Sequence, residues 1–451
     1  MRSVIGRGFA VLVAASLSVL GGSAGAGVRP SSGARTVLGA GRSVQYPALA
    51  GWGAGAAAAW MDGPGNDPSI RTASWREQDG GWSRSVDLSA GLLAGTFPQI
   101  AVRAGGAAVV AWQSGAVAPV GGELDPSVQV AYRASARSPW GRPVTVSSAG
   151  QTVEAPAIAM APDGTSVVAW EGPVDHRFAI QVATSRTGQR WSRPRVLASS
   201  GRWLMRPEVV VAGRGRAVVE WQKLLRGGPL DPQGELLAVD VAVGDPGHGV
   251  WSAPTDLGRE LDQTEIAAPF QQFNVPVIAS DPAGETLVSW SAPRAGGHTV
   301  LAGVVLGSGR RWQRRVIPDS TGAVYPAAVL TDDGTALVAW SRGRSVELAH
   351  ASSAKHWGFR DRRVAAGGGL PYWPQLAVGD DDQVALAWRT GGDVAARVLT
   401  APSGRACPVE HLLSGEFAHV VFAGASALAL WADPLMQGRQ VVLRSTALTP
   451  C

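Results

Sequence analysis

The chain predicts an all-β fold, a single β-propeller of four-stranded antiparallel blades, with eight blades as the expected count and seven as the alternative. Three observations carry this. Short apolar runs are separated by Gly-bearing turns, one unit repeats from end to end, and a Trp recurs at the same place in each unit. The clearest unit runs from Glu154 to Arg206. Its first run is Ile158–Met160, a turn follows at Asp163-Gly164, and Val167–Trp170 is the second run. Ile180–Ala183 is the third, Thr187-Gly188 a second tight turn, and Trp191 introduces Pro194–Leu197 as the fourth. The chain then reaches Pro207 and begins again.

Taken from the N-terminus, Arg2 and Arg7 precede the apolar run Phe9–Leu20, and Ala24-Gly25-Ala26 supplies small residues for cleavage. Residues 1–26 therefore read as a secretory signal peptide, 27–34 as a flexible N-terminus and 35–451 as the propeller. Export to the extracellular space is expected, with no integral membrane segment, because no later apolar stretch is long enough to span a bilayer. The formal net charge of +5 comes almost wholly from arginines spread along the chain. A nucleic-acid partner is not expected, since no basic run tracks a phosphate backbone. A monomer is expected.

The second-run tryptophans are Trp60, Trp112, Trp170, Trp221, Trp290, Trp340, Trp388 and Trp431. A Pro stands a fixed interval before six of them, at Pro98, Pro156, Pro207, Pro276, Pro326 and Pro374. Pro47 lies one residue closer in the first unit, and Phe417 takes the place in the last. A further series, Trp82, Trp140, Trp191, Trp251, Trp312 and Trp357, opens the fourth strands, and the large aromatics read as wedges between neighbouring sheets. The last unit ends at Cys451 without a fourth strand, while Arg35–Leu38 resembles an orphan fourth strand ahead of Pro47. Pairing the two would close the ring and remove two open sheet edges. Cys407 stands where the seventh unit's second Trp should be, so a Cys407–Cys451 disulfide is expected to pin the last blade.

Loop lengths separate the two faces of such a ring. The first-to-second and third-to-fourth turns hardly vary, whereas the interval between the two Trp series grows from Trp340–Trp357 to Trp221–Trp251. The variable loops share one face, where binding residues usually sit. At the channel mouth on that face the residues before the Pro are Tyr46, Phe97, Ala155, Arg206, Val275, Tyr325 and Trp373. Those after the second-strand Trp include Gln113, Glu171, Gln222 and Arg389. Tyr46, Phe97, Arg206, Tyr325, Trp373, Gln113, Glu171, Gln222 and Arg389 form the candidate ligand-binding set. Aromatics there can stack on sugar rings or apolar side chains, so a glycan or a protein surface is the expected partner, bound without catalysis. Carboxylates for an alternative hydrolase or lyase chemistry are Glu171, Asp175, Glu123 and Asp62.

No metal and no cofactor is expected. The Asp-Pro pairs at Asp67, Asp125, Asp231 and Asp433 read as turn starters, because they lack the alternating oxygen ligands of a calcium loop. The His and Cys residues show no zinc spacing.

The Asp-Gly turn, the strand ending in Ala-Trp and the Gly-X-X-Trp-Ser that follows the third strand resemble the BNR or Asp-box propellers of the sialidase-like superfamily. The best box, Thr184 to Trp191, keeps Gly188 and Trp191 but has Thr184 for Ser and Arg186 for Asp. The resemblance implies a sugar-related propeller. Sialidases of that family use three Arg, a Tyr–Glu pair and an Asp on six blades. Eight units depart from this, and the Arg-Ile-Pro signature has only the counterpart Arg315-Val316-Ile317-Pro318, in a fourth strand, so no catalytic residue transfers.

Overall fold

The computed structural model describes residues 36–41, 44–63, 67–92, 94–117, 123–212, 215–227, 235–262, 276–293, 299–306, 312–317, 320–352, 359–366, 371–379, 383–391, 393–400, 407–435 and 440–448. Among them the strands form eight antiparallel sheets. The first strands are Gln45–Trp52, Gly95–Val102, Glu154–Met160, Leu204–Val211, Val277–Ser280, Val324–Leu330, Pro371–Val378 and Glu416–Ala423. Each packs beside the next, and the first strand of the last sheet packs beside that of the first. The molecule is thus a β-propeller with four-stranded antiparallel blades, its first strands bordering the central channel.

The second strands explain the sequence pattern. In Gly55–Asp62 the run Ala56-Ala57-Ala58-Ala59-Trp60 is wholly buried, and so is Val167–Trp170 in Ser166–Val174. A strand covered on both faces has no solvent side and so loses the alternation of a half-exposed strand. The tryptophans are the wedges, and they all point the same way round the ring. Trp112 packs with Ala57 and Ala59 of the preceding sheet, Trp170 with Val109 and Ala111, Trp221 with Val167 and Ala169, and Trp431 with Ala385 and Ala387. Small residues on one sheet receive the indole of the next. Trp60 completes the circuit by packing with Leu430 and Leu443 of the last sheet.

That last sheet is composite. Thr36–Gly41 pairs antiparallel with Gln440–Leu448, which pairs with Ser426–Leu435, the strand that holds Trp431. Trp82 adds a side-chain tie across the same seam, its indole nitrogen donating to Ser445 Oγ at 2.7 Å.

Turn chemistry accounts for the constant-length face. Asp163 accepts the Thr165 amide at 2.8 Å, Asp281 the Gly284 amide at 2.7 Å and Asp333 the Thr335 amide at 3.0 Å, so a side chain closes each turn. Gly188 has φ 72°, and a Cβ there would lie 2.3 Å from the Tyr132 ring of the neighbouring sheet. The turn needs glycine for both its conformation and its contact.

Two sequence readings are corrected here. Asp125-Pro126 and Asp433-Pro434 do not start turns; they lie inside the strands Glu123–Arg133 and Ser426–Leu435. Each Pro lies near the end of an inner strand, where its missing N–H breaks few ladder bonds. Fourth strands are also interrupted. In the first sheet Gly81–Trp82 and Val86–Asp87 are separate short pieces, and in the fourth Val250–Trp251 precedes Thr255–Asp262. In these two sheets the second Trp marks a short bridge before the next strand piece, whereas Trp312 opens the strand Trp312–Val316 itself. Residues 1–26, expected as a signal peptide, residues 27–34 and Cys451 lie outside the described residues, and with Cys451 the expected disulfide; Cys407 itself is buried.

Replacing Trp112 by Ala is expected to cost about 3–5 kcal/mol, because the cavity would open against Ala57 and Ala59. A guanidinium denaturation curve checks this.

Candidate functional site

The residue before the first-strand Pro has an unusual backbone. Tyr46, Phe97, Arg206, Tyr325 and Trp373 have φ of 49°, 50°, 52°, 54° and 47°, the left-handed region. Non-Gly residues pay roughly 1–2 kcal/mol to sit there. In each case the pairing with the second strand slips at this point, between Gln45 and Ala48, Thr96 and Gln99, Met205 and Glu208, Val324 and Ala327, and Tyr372 and Gln375. The following Pro has no N–H for the ladder, so the strand bulges around it and re-aims the preceding side chain.

The bulge brings the two candidate series together. The residue after the second-strand Trp pairs with the residue two before the first-strand Pro: Gln113 with Thr96, Glu171 with Glu154, Gln222 with Met205, and Arg389 with Tyr372. The nine candidates therefore lie at one end of the first two strands, round one rim. The Ala155 side chain and all of Val275 lie outside what is described.

Aromatics occupy two arcs of this rim. Tyr46 and Phe97 have ring centroids 4.6 Å apart. Tyr325 and Trp373 are 5.7 Å apart, Tyr372 stands 5.7 Å from Trp373, and the Arg389 guanidinium lies 5.7 Å from the Trp373 centroid. Phe97 is exposed, the others partly covered by one another. Burial pushes the Tyr46 phenol up from its ordinary value.

Between the third and fourth sheets the rim is polar. The Arg206 amide donates to Glu171 at 2.8 Å, and its guanidinium donates to Gln222 Oε1 at 3.1 Å and stands 4.0 Å from Glu235. Gln222 in turn donates to Glu260 at 2.5 Å, and Lys223 pairs with Asp240 at 2.8 Å. The Glu171 carboxyl is pushed up to about 7, by burial first and Glu154 second, against the opposing pull of Arg206. Glu208 is also held at about 7; its side chain meets water, but the enclosing walls of the ring desolvate it. Glu220 is fully buried and both its oxygens lack a partner, so desolvation, reinforced by Glu260, Glu208 and Asp240, raises it well above the ordinary carboxylate range. Across the closing seam, burial lowers His419 to about 4, opposed by its hydrogen bond to the Pro47 backbone.

One of the nine is enclosed at the rim, and the acids outside the set go elsewhere. Gln113 is buried in Ala108–Val117. Asp175 and His176, with φ of 49° and 61°, form a two-residue hairpin between Val174 and Arg177, a turn of the primed type. Asp62 is paired with Arg71 at 3.4 Å, and the Glu123 side chain is not described. Sequence reasoning missed Glu208, Glu220 and Glu260. A signal existed for the first two: Glu208 stands where other units have residues such as Ala48 and Ala157, and Glu220 where they have Ala59, Ala111 and Ala169. Among the described residues no group of three His, Cys, Asp or Glu side chains is arranged to hold a metal ion, and no helix is long and apolar enough to cross a membrane.

No family model matches the chain, and no curated protein matches it. Solved structures do. It is similar to the polysaccharide lyase Uly1, at 10% identity and TM-score 0.49 over 89% of this chain and 90% of that one. It is also similar to the GH93 α-L-arabinofuranosidase of Fusarium graminearum, at 12% identity and TM-score 0.43 over 79% and 93%. The Hadza microbial sialidase Hz136 is similar at 11% identity and TM-score 0.40 over 72% of each chain. At these values the likeness decides neither fold nor function, and the propeller rests on the strand order and packing of this chain.

The shifted groups predict a pH dependence. Glu171 and Glu208 are raised from 4.5 to about 7, so their stabilising protonated form is fully present below 4.5 and is lost as pH rises through 7. His419, lowered from 6.5 to about 4, acts oppositely and only below 6.5. The Tm is therefore expected to fall from pH 6.5 to 8, and Glu208→Gln to flatten that fall, as read by calorimetry across this range.

Proposed function

We propose that this is an exported, non-catalytic β-propeller that binds a glycan across its channel mouth. The observation that supports this best is the left-handed backbone at Tyr46, Phe97, Arg206, Tyr325 and Trp373. Strained backbone held at equivalent places by a rigid scaffold is found often at sites that hold a ligand. Aromatic side chains on two arcs and a hydrogen-bonding Arg–Gln–Glu group on a third offer what a sugar ring requires, an apolar face to stack on and polar groups to orient its hydroxyls. We read the eight sheets as the blades of one closed ring, related to the sialidase-like propellers through their degenerate boxes. Export by residues 1–26, a Cys407–Cys451 bridge and a monomeric state belong to the same reading.

The second reading, a hydrolase or lyase, is favoured by one observation. Glu171, at about 7, can hold or release a proton near neutrality, beside an Arg that can meet an anionic group.

Two experiments separate these readings. Tyr325→Ala with Trp373→Ala is expected to weaken glycan binding about tenfold, measured on a glycan array and by calorimetry; unchanged binding would overturn the proposal. Incubation with polysaccharides should release no new reducing ends or unsaturated uronates. Release that falls about a hundredfold or more in Glu171→Gln would establish catalysis instead.

A further inference from the structure

Phe178 and Trp203 are in contact at the surface, edge to face at 87° with centroids 6.0 Å apart, and each remains more than a third open, at 38% and 37%. The propeller's core aromatics are enclosed, so this pair does no wedging. Phe178 lies at the start of Arg177–Ser185 in the third sheet, and Trp203 directly precedes Leu204–Val211 of the fourth. The pair therefore straddles the seam that Arg206 and Glu171 bridge, on the same face as the rim. Arg206 lies three steps along the chain from Trp203, roughly 10 Å at the usual strand rise.

The surroundings are cationic and fixed. Arg177, exposed, donates through Nε to Ser199 at 3.1 Å, and Arg202, exposed, donates to the Leu225 carbonyl. These contacts use one edge of each guanidinium and leave further N–H groups on two exposed arginines that adjoin the aromatic pair in the chain. Asp175, in the hairpin turn, is the acid that adjoins this pair in the chain. Two rings among polar side chains form too small an apolar patch for a stable protein interface, which buries about 800 Å² on each partner. They suit a narrow chain that presents sugar faces and negative charge together.

We propose that Phe178 and Trp203 form an outer subsite for an anionic polysaccharide bearing uronate groups. A sugar ring stacks on the aromatic pair, its carboxylates meet Arg177 and Arg202, and the chain continues inward to Arg206. This rests on the glycan reading of the channel mouth and gives it a substrate class and a direction.

The test is calorimetry of the full chain with short and long oligogalacturonides and with long neutral cello-oligosaccharides. The double variants are Phe178→Ala/Trp203→Ala and Arg177→Gln/Arg202→Gln. Each is expected to bind the long anionic chain about tenfold more weakly while keeping wild-type affinity for the short one, which also shows that the fold is intact. Long-chain affinity unchanged in both variants, with wild-type binding present, overturns the outer subsite alone. Neutral chains bound as tightly as the anionic ones overturn the uronate assignment. Wild-type protein that binds neither length overturns the glycan reading and this inference with it.

Discussion

The structure depends on one steric relation, a tryptophan on each second strand packed against apolar residues of the sheet before it, small ones in several of the sheets. Trp112 against Ala57 and Ala59 and Trp170 against Ala111 are instances of one contact repeated round the ring. Its consequence is directional. A sheet that offers an indole on one face and a small-residue bed on the other is apolar on both, so it needs a neighbour on each side. A row of such sheets leaves two apolar faces exposed at its ends, and a closed ring leaves none. Trp60 against Leu430 and Leu443 is the contact that removes the last pair, and the strand Thr36–Gly41 removes the open edge beside it.

Closure by wedges leaves the rim free to differ from blade to blade. Among the described residues six first strands reach the rim through a bulge at Pro, and the left-handed residue present in five of them is held by the ladder on the far side of the bulge. The scaffold therefore supplies a set of equivalent, rigidly aimed positions, and side-chain identity alone decides what each offers. Tyr46 with Phe97 and Tyr325 with Trp373 make apolar arcs, and Arg206 makes a polar one.

The fourth sheet breaks the repeat most strongly. Glu220 occupies the bed where other sheets place Ala, fully enclosed, and Glu208 stands opposite it in register. Low-dielectric surroundings favour their neutral forms. The same sheet contributes Arg206, Gln222, Glu235 and Glu260, so its departure from apolar packing coincides with the polar part of the rim. A core position that carries a desolvated carboxyl lowers stability, and its place beside the rim ties that cost to the site rather than to the fold.

The repeat, the Asp-Gly turns, the wedge residues and the orphan strand ahead of Pro47 were legible because each is a local pattern: a spacing, a turn type, an unmatched run. Arg206, Glu171 and Gln222 were also legible as members of one rim, since two positions fixed relative to Pro and Trp recur in every unit. What local pattern could not give was the left-handed backbone at the rim, which depends on how a Pro meets the neighbouring strand's ladder. Nor could it give the contact between Arg206 and Glu171, or between Phe178 and Trp203, which join different sheets. The sequence by itself determined the unit and its repetition, because periodic burial is written in every segment. Only the tertiary structure decided which side chains meet across the seams, because that depends on the packing of one sheet against the next.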